Sequence, residues 1–593
     1  MRVLLPCLLL ASALTADEVP FLRGMGWSPW HATHGWNRPP EVVARDYEYL
    51  ADLQVNALRT WGPAKREGME RQWREHGLYL VPQVRQISTP KMAFADGKGG
   101  HAAFALPEAR AALAEQATAL AKELAGGAGL AAYNLGNEYS WVGANQSGQY
   151  QSQGFDEGTL AAFRRNLEHR FGDIGAWRRL TGGGETSFAE IVPPKGSDDS
   201  LLYWEWWRFQ RETFGAFLRG GHEAIRSVDP RTPVTYALLC GNRWDAATED
   251  ADLPFLELQG DNLYYHWDKN WLGYSVRLAR RLGPGRPAFV TETGINTLHT
   301  PDPAEADRLM RQMLWVLFLH TDVKGVFPFV YCDEWWHGAD PKAADTAEDH
   351  WGVLTADRKP KSTYRAVKET YGEWRRLEEI ANRRESAVDL LVSDQALDRW
   401  RGVAGPTVAE VGRELYSRGV SFRLVSVLRP SDFAATSCRR LLLLDSTLPD
   451  APDGGSPVRA ALREFVERGG EILYLSGKPF QSLYGTAGAD GIAATVRQPD
   501  QAAGIWPAIR DFVPLPSLTV AAEGEVYWRE FRAGDRRFAL LVAVGPEPAR
   551  QVRLGGAAGL ALVAGDASAL VPRNGGWEIT VLPTHALFEL REP

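Results

Sequence analysis

The chain has 593 residues, 45% apolar and 24% charged, with 66 Lys and Arg against 74 Asp and Glu for a net charge of −8. That length spans several domains, and the balance is that of a folded chain with ample core, which excludes a disordered or low-complexity scaffold. Four Cys are too few for a disulfide framework, and a mildly acidic chain without a basic block lacks the clustered cations that nucleic-acid phosphates demand.

Residues 1–16 have the order of a secretory signal peptide: Met1-Arg2, an apolar stretch from Val3 to Leu10, then small residues at Ala11, Ser12, Ala13 and Ala16. The apolar part is too short to span a bilayer, which takes about 20 residues. A secreted or periplasmic protein is expected, with no membrane contact after cleavage. Cys240, Cys332 and Cys438 remain in the mature chain, so at least one thiol is unpaired.

Strands are predicted at 22–30, 56–62, 78–84 and 130–135, and helices between them at 40–53, 68–76 and 109–124. Pro40 suits a first helical turn, Val42, Val43, Tyr47, Leu50 and Leu53 keep helical spacing, and Gly126-Gly127 stops the third helix. The fourth strand runs directly into Gly136-Asn137-Glu138. An excursion over 141–228 carries helical segments at 157–171 and 201–226. Strands follow at 234–239, 258–265, 287–291 and 323–331, with helices at 304–320 and 364–377. Eight strands alternating with helical sequence predict a (β/α)₈ TIM barrel over 17–380. The rival, an open doubly wound sheet, lacks its Gly-rich phosphate loop after the first strand.

Beyond 380 the pattern changes. Short, wholly apolar strands at 388–392, 423–427, 440–444 and 471–475, with helices at 407–418 and 457–468, read as the buried parallel sheet of a Rossmann- or flavodoxin-like α/β domain over 385–512. From 516 to 593, alternating segments (VYWREF, RRFALLVAV, RQVRL, LALVAG, WEITVL, HALFELRE) predict a small antiparallel β-domain.

Catalytic groups of such barrels lie at the carboxyl ends of the strands. Strand four ends in Asn137-Glu138 and strand seven in Glu292, so two carboxylates face one another across the barrel mouth. A glycosidase needs this pair, one protonated to release the leaving oxygen and one anionic to attack C1. Burial and mutual repulsion can raise one pKa so that both forms coexist near neutrality. Either Glu alone reads equally well as an ion pair or a cap; their joint placement favours catalysis. The 22 Trp, most of them before residue 380, add flat faces suited to sugar rings as well as to the core. Trp27, Trp30 and Trp61 follow the first two strands as candidates to line the sugar site or to fill the core, and Asp333 and Glu334 follow the eighth near the same mouth, as candidates to bind a sugar hydroxyl or as part of a solvated loop. No metal-ligand spacing appears, so neither metal nor cofactor is expected.

These residues resemble clan A of the glycoside hydrolases, the retaining (β/α)₈ enzymes. By that resemblance Glu138 is the acid/base and Glu292 the nucleophile. Arg59 in RTWG is the Arg near the nucleophile, and Asn137 bonds the sugar 2-hydroxyl. Asn262-Leu263-Tyr264-Tyr265-His266-Trp267 looks like the N-x-Y-Y-x-W pattern of family 2 β-glucuronidases and β-galactosidases, which makes Tyr264 the Tyr that touches the nucleophile. Trp335 or Trp336 fits the sugar-stacking Trp. His350-Trp351-Gly352-Val353-Leu354 followed by Lys359-Pro360-Lys361 resembles the barrel exit of families 2 and 5. The order barrel, α/β domain, β-domain is similar to family 42 β-galactosidases, and implies a homotrimer by analogy. Two features depart from that family: its four-Cys zinc cluster cannot be built here, and the strand-eight motif Tyr331-Cys332-Asp333-Glu334-Trp335-Trp336 differs from the family's.

The resulting expectation is a secreted retaining glycosidase acting on an oligo- or polysaccharide of β-galactoside or β-glucan type. The alternatives are a β-glucan transglycosidase using the same pair, or a non-catalytic carbohydrate-binding protein on a disabled barrel. A nucleophilic role for Cys438 in the second domain is disfavoured, since it precedes a strand and sits on no nucleophile elbow.

Overall fold

The computed structural model describes residues 14–591 apart from 98, 145–149, 197–199, 241–252, 266–269, 283–286, 335–346, 387, 396–406, 435, 451–454, 476–480, 485–491, 493, 500–503, 557–558, 569 and 574–575. Most of the signal-peptide segment, His266, Trp267, Trp335 and Trp336 therefore lie outside the described residues.

Eight parallel strands form the first sheet: β1 (Leu22–Gly26), β2 (Ala57–Arg59), β3 (Tyr79–Val81), β4 (Tyr133–Asn137), β5 (Val234–Cys240), β6 (Gln259–Leu263), β7 (Ala288–Thr293) and β8 (Val323–Pro328). Their order is β3-β2-β1-β8-β7-β6-β5-β4. Parallel bridges from Leu80 to Leu130 and from Gln83 to Asn134 join β3 to β4 and close the barrel. Leu22, Ala57, Val81, Phe289 and Phe327, from different strands, meet Leu258, just before β6, in one buried cluster, so the interior is packed and not a pore. Gly24 makes room for it: a Cβ there would stand 2.2 Å from the Phe327 ring.

The surrounding helices are α1 (Pro40–Asp52), α2 (Arg66–His76), α3 (Pro107–Leu124), α4 (Leu201–Arg226), α5 (Trp271–Arg281), α6 (Pro303–Leu319) and α7 (Ser362–Arg376). The second half of α6, from Met313 to Leu319, is apolar all round because it is covered twice, by the barrel inside and by the C-terminal β-domain outside. On that outer side Gln312 donates to the carbonyls of Ala543 and Gly545 at 2.9 and 3.0 Å, and Trp315 stacks on His585 at 3.7 Å.

The α/β domain carries five parallel strands in the order Arg423–Val425, Leu391–Ser393, Arg440–Leu443, Glu471–Tyr474, Thr495–Val496, a flavodoxin-like arrangement. The excursion helices Glu157–Phe171 and Ile174–Thr181 share its core: Phe163, Leu167, Phe171 and Trp177 cluster with Leu441, Leu443 and Ile472. Two antiparallel sheets form the C-terminal β-domain. One of them takes an edge strand from Arg384–Glu385, immediately after the barrel, paired to Val526–Ala533.

Barrel strands are shorter than the sequence suggests. β1 stops at Gly26 rather than Trp30, and β8 at Pro328 rather than Tyr331, because the apolar residues beyond pack in loops over the barrel mouth. The strands at Thr495–Val496, Thr519–Glu523 and Leu570–Arg573 escape the sequence pattern, being short or carrying mostly exposed residues.

Candidate active site

β4 delivers Asn137 at its last position and Glu138 just beyond. Gly136 is required there, since a Cβ would stand 2.6 Å from the Tyr139 ring. Glu138 adopts a left-handed φ of 54°, an uncommon conformation for a residue with a side chain and one that collects at functional sites. Its amide is anchored to the Ala237 carbonyl of β5 at 2.9 Å, and its side chain is half-buried.

Glu292 lies inside β7 and is 4% exposed. Three donors converge on it. Arg59 at the end of β2 gives Nη1 to Oε1 at 2.5 Å, Trp61 gives Nε1 to the same oxygen at 2.8 Å, and Tyr264 gives its hydroxyl to Oε2 at 2.6 Å. The Tyr264 phenol is pushed well above its ordinary pKa by burial and by the charge of Glu292, so it stays a proton donor.

The two carboxylates belong to one network. Arg59 Nη2 donates to Asn137 Oδ1 at 2.5 Å, and Asn262 Nδ2 donates to that oxygen at 3.1 Å and to Glu138 Oε1 at 2.8 Å. With Oδ1 occupied by two donors, Asn137 has its own Nδ2 left to offer a sugar hydroxyl. An aromatic wall of Phe329, Trp351 and Tyr264, with Trp61 against it, borders Glu292; Tyr264 and Trp351 rings lie 4.8 Å apart.

Asp333 is 8% exposed, and its Oδ1 accepts from Lys361 Nζ at 2.8 Å and from the Gly352 amide at 2.9 Å. The strand-eight loop is thereby tied to the barrel exit. Burial holds the Asp333 carboxyl above its usual pKa despite the Lys361 charge. Glu334 is buried as well, at 2%, so neither acid belongs to a solvated loop. Cys332 is buried with its thiol toward the Ser28 and Trp30 carbonyls, and burial raises its pKa, the state of an inert thiol. Trp27 packs against Tyr47 and Tyr331.

Of the residues singled out from sequence, Glu138, Glu292, Arg59, Asn137, Tyr264 and Trp61 come together in this network, while Asp333 is engaged by Lys361. Sequence reasoning gave no role to Gln86, Asn262, Thr291, Phe329 or Trp351. Gln86 Nε2 donates to the Asn137 carbonyl at 2.9 Å, and Thr291 Oγ1 to Asn262 Oδ1 at 2.7 Å. Asn262 and Trp351 stand inside quoted motifs and Thr291 precedes the strand-seven Glu; Gln86 and Phe329 carry no motif signal.

The model of glycoside hydrolase family 42, described as beta-galactosidase, matches residues 80–373. A search of curated proteins finds no match. Among solved structures, a family 42 β-galactosidase from G. stearothermophilus is similar with a TM-score of 0.72 at 12% identity, covering 98% of this chain and 100% of that one. The β-galactosidase from Rahnella sp. R3 gives 0.68 at 13% identity, with 98% and 99% covered. An exo-carrageenase of family 42 from Bacteroides ovatus gives 0.60 at 12% identity, with 96% and 80% covered. At such identities the structural likeness speaks for the fold over nearly the whole chain, and the family model adds its match over residues 80–373. The protein is a clan A glycosidase with the architecture of the family 42 β-galactosidases.

Proposed function

We propose that this glycosidase is a secreted, retaining enzyme that cleaves terminal β-galactosides by double displacement, with Glu292 as nucleophile and Glu138 as acid/base. The observation that carries the reading is the asymmetry of the two carboxylates. Glu292 is buried and accepts from three donors, Arg59, Trp61 and Tyr264, which hold its carboxyl group in place for attack on C1. Glu138 is half-buried at the barrel mouth, with Asn262 among its partners, where its carboxyl can exchange a proton with a substrate oxygen.

In the first step Glu292 attacks C1 while Glu138 passes its proton to the departing glycosidic oxygen, leaving a glycosyl–enzyme ester. In the second, Glu138 takes a proton from water as the water oxygen attacks C1 and the ester bond breaks. Two inversions return the original anomeric configuration, which requires the carboxyls to stand about 5–5.5 Å apart. Asn137 supports the 2-hydroxyl through its remaining amide donor, and the Trp61, Phe329 and Trp351 wall receives an apolar sugar face. Secretion rests on the order of residues 1–16, and a homotrimer on the architecture; N-terminal sequencing of the exported protein and light scattering test these.

The deciding experiment pairs a panel of nitrophenyl glycosides, lactose-type galactosides, β-glucan oligomers and carrageenan oligosaccharides with NMR of the product anomer. Release of β-galactose first, and labelling of Glu292 by a 2-fluoro galactoside, are expected. An inverted product, or label on another residue, overturns the mechanism.

A further inference from the structure

We infer that Thr291 and Asn262 form a positioning pair for Glu138: the Thr291 hydroxyl fixes the Asn262 amide, and that amide holds Glu138 by its Oε1. The inference rests on the reading of Glu138 as acid/base and deepens it.

The pairing of β6 with β7 supplies the first argument. Asp261 faces Val290, but Asn262 faces Glu292, so the register shifts and Thr291 is the extra residue of a bulge. In a regular strand the side chains of 291 and 292 point to opposite faces. A bulge re-aims one of them. Here Thr291 meets Asn262 while Glu292 meets Arg59 and Tyr264, so both neighbours serve one site.

The amide of Asn262 supplies the second. Thr291 and Asn262 are both fully buried. The Thr291 hydroxyl donates to Asn262 Oδ1, which turns Nδ2 the other way. Both Nδ2 hydrogens are then used, one on Asn137 Oδ1 and one on Glu138 Oε1. The opposite amide orientation sets Oδ1 against two acceptor oxygens. Held by Asn262, the Glu138 carboxyl gives its proton to the glycosidic oxygen as the C1–O bond breaks, and takes the proton of the attacking water in the second step. The amide bond favours the charged carboxylate, so it makes Glu138 a stronger acid.

The test uses the full chain and two galactosides, a dinitrophenyl one whose leaving group needs no proton and an alkyl or methoxyphenyl one that does. General acid assistance contributes about 10²–10⁴ in rate only for the second. In Thr291→Val the ratio of kcat/KM for poor over activated substrate is expected to fall by about tenfold, and Thr291→Ser to recover it. In Asn262→Ala the ratio falls further, and the alkaline limb of kcat/KM for the poor substrate moves to higher pH. Should Thr291→Val fail to fold, Asn262→Ala carries the same comparison. Equal losses on both substrates, or an unmoved ratio, overturn the inference. Glu138→Ala is the parallel control: a leaving-group-independent loss there, without azide rescue, removes the acid/base reading itself and is distinguishable from failure of the pair.

Discussion

Asn262 and Tyr264 lie two residues apart at the end of β6, and each holds a different carboxylate: Asn262 bonds Glu138 at 2.8 Å and Tyr264 bonds Glu292 at 2.6 Å. Residues two apart on a strand share a face, so one short segment sets the positions of both acids.

Tyr264→Phe removes one donor from Glu292 and leaves the ring in contact with Trp351 and Phe329. We expect kcat to fall by about 10- to 100-fold, consistent with a lost charge-assisted bond of about 1.5–3 kcal/mol. Thermal unfolding checks that the fold is kept, and steady-state kinetics that the loss lies in kcat.

Arg59→Met leaves Glu292 Oε1 without its cation in a site where Arg59 is itself fully buried. Removing one member of a buried pair costs about 3–5 kcal/mol. A lower urea midpoint and a severe loss of kcat/KM are expected together. Arg59→Lys recovers only part, because a single ammonium cannot bond both Glu292 and Asn137 in the fork that the guanidinium spans.

Asp333→Ala severs the tie between the strand-eight loop and the barrel exit and leaves the half-buried Lys361 ammonium the His350 carbonyl but no counter-charge from Asp333. Differential scanning calorimetry is expected to show a lower Tm. An unaltered Tm contradicts a tying role for this ion pair.

Stability is expected to fall as pH rises above about 10. Tyr236, Tyr264 and Tyr371 are buried and titrate well above their ordinary value, through burial first and then through Tyr139 for Tyr236 and Glu292 for Tyr264. Above the unfolded value of about 10 the unfolded chain releases protons that the folded one keeps, so unfolding gains as pH rises. Urea midpoints at pH 9 and 11 measure the slope, and Tyr264→Phe should lessen it by about one proton.

At the acid end Glu257 works in the opposite sense. Burial raises its pKa, but His222, Arg226 and the Val234 amide outweigh that and bring it down to about 2. Its folded pKa lies below the unfolded one, so its stabilisation is present above about pH 4.3 and is lost as pH falls toward 2. Glu257→Gln is expected to flatten the acid limb of the stability curve over that window.

Periodicity was enough to find the barrel strands and helices, because each must bury one face: the helix predicted at 157–171 is the helix Glu157–Phe171, and that at 201–226 is α4. It also located Glu138 and Glu292, since the carboxyl ends of strands four and seven follow from counting apolar runs. Strand ends were less legible. Phe329 and Val330 are as apolar as β8 itself, yet they leave the ladder to build the wall beside Glu292.

Residue order thus carried the element types, the number of barrel strands and the two acids, all properties set by local pattern and by composition. Folding alone chose the partners. Gln86 reaches Asn137 from 51 positions away, Arg59 reaches Glu292 from 233, and a bulge at Thr291 turns its hydroxyl onto Asn262. Such contacts arise from barrel closure and from register between strands remote in the chain, and no periodicity along one strand encodes the register of another.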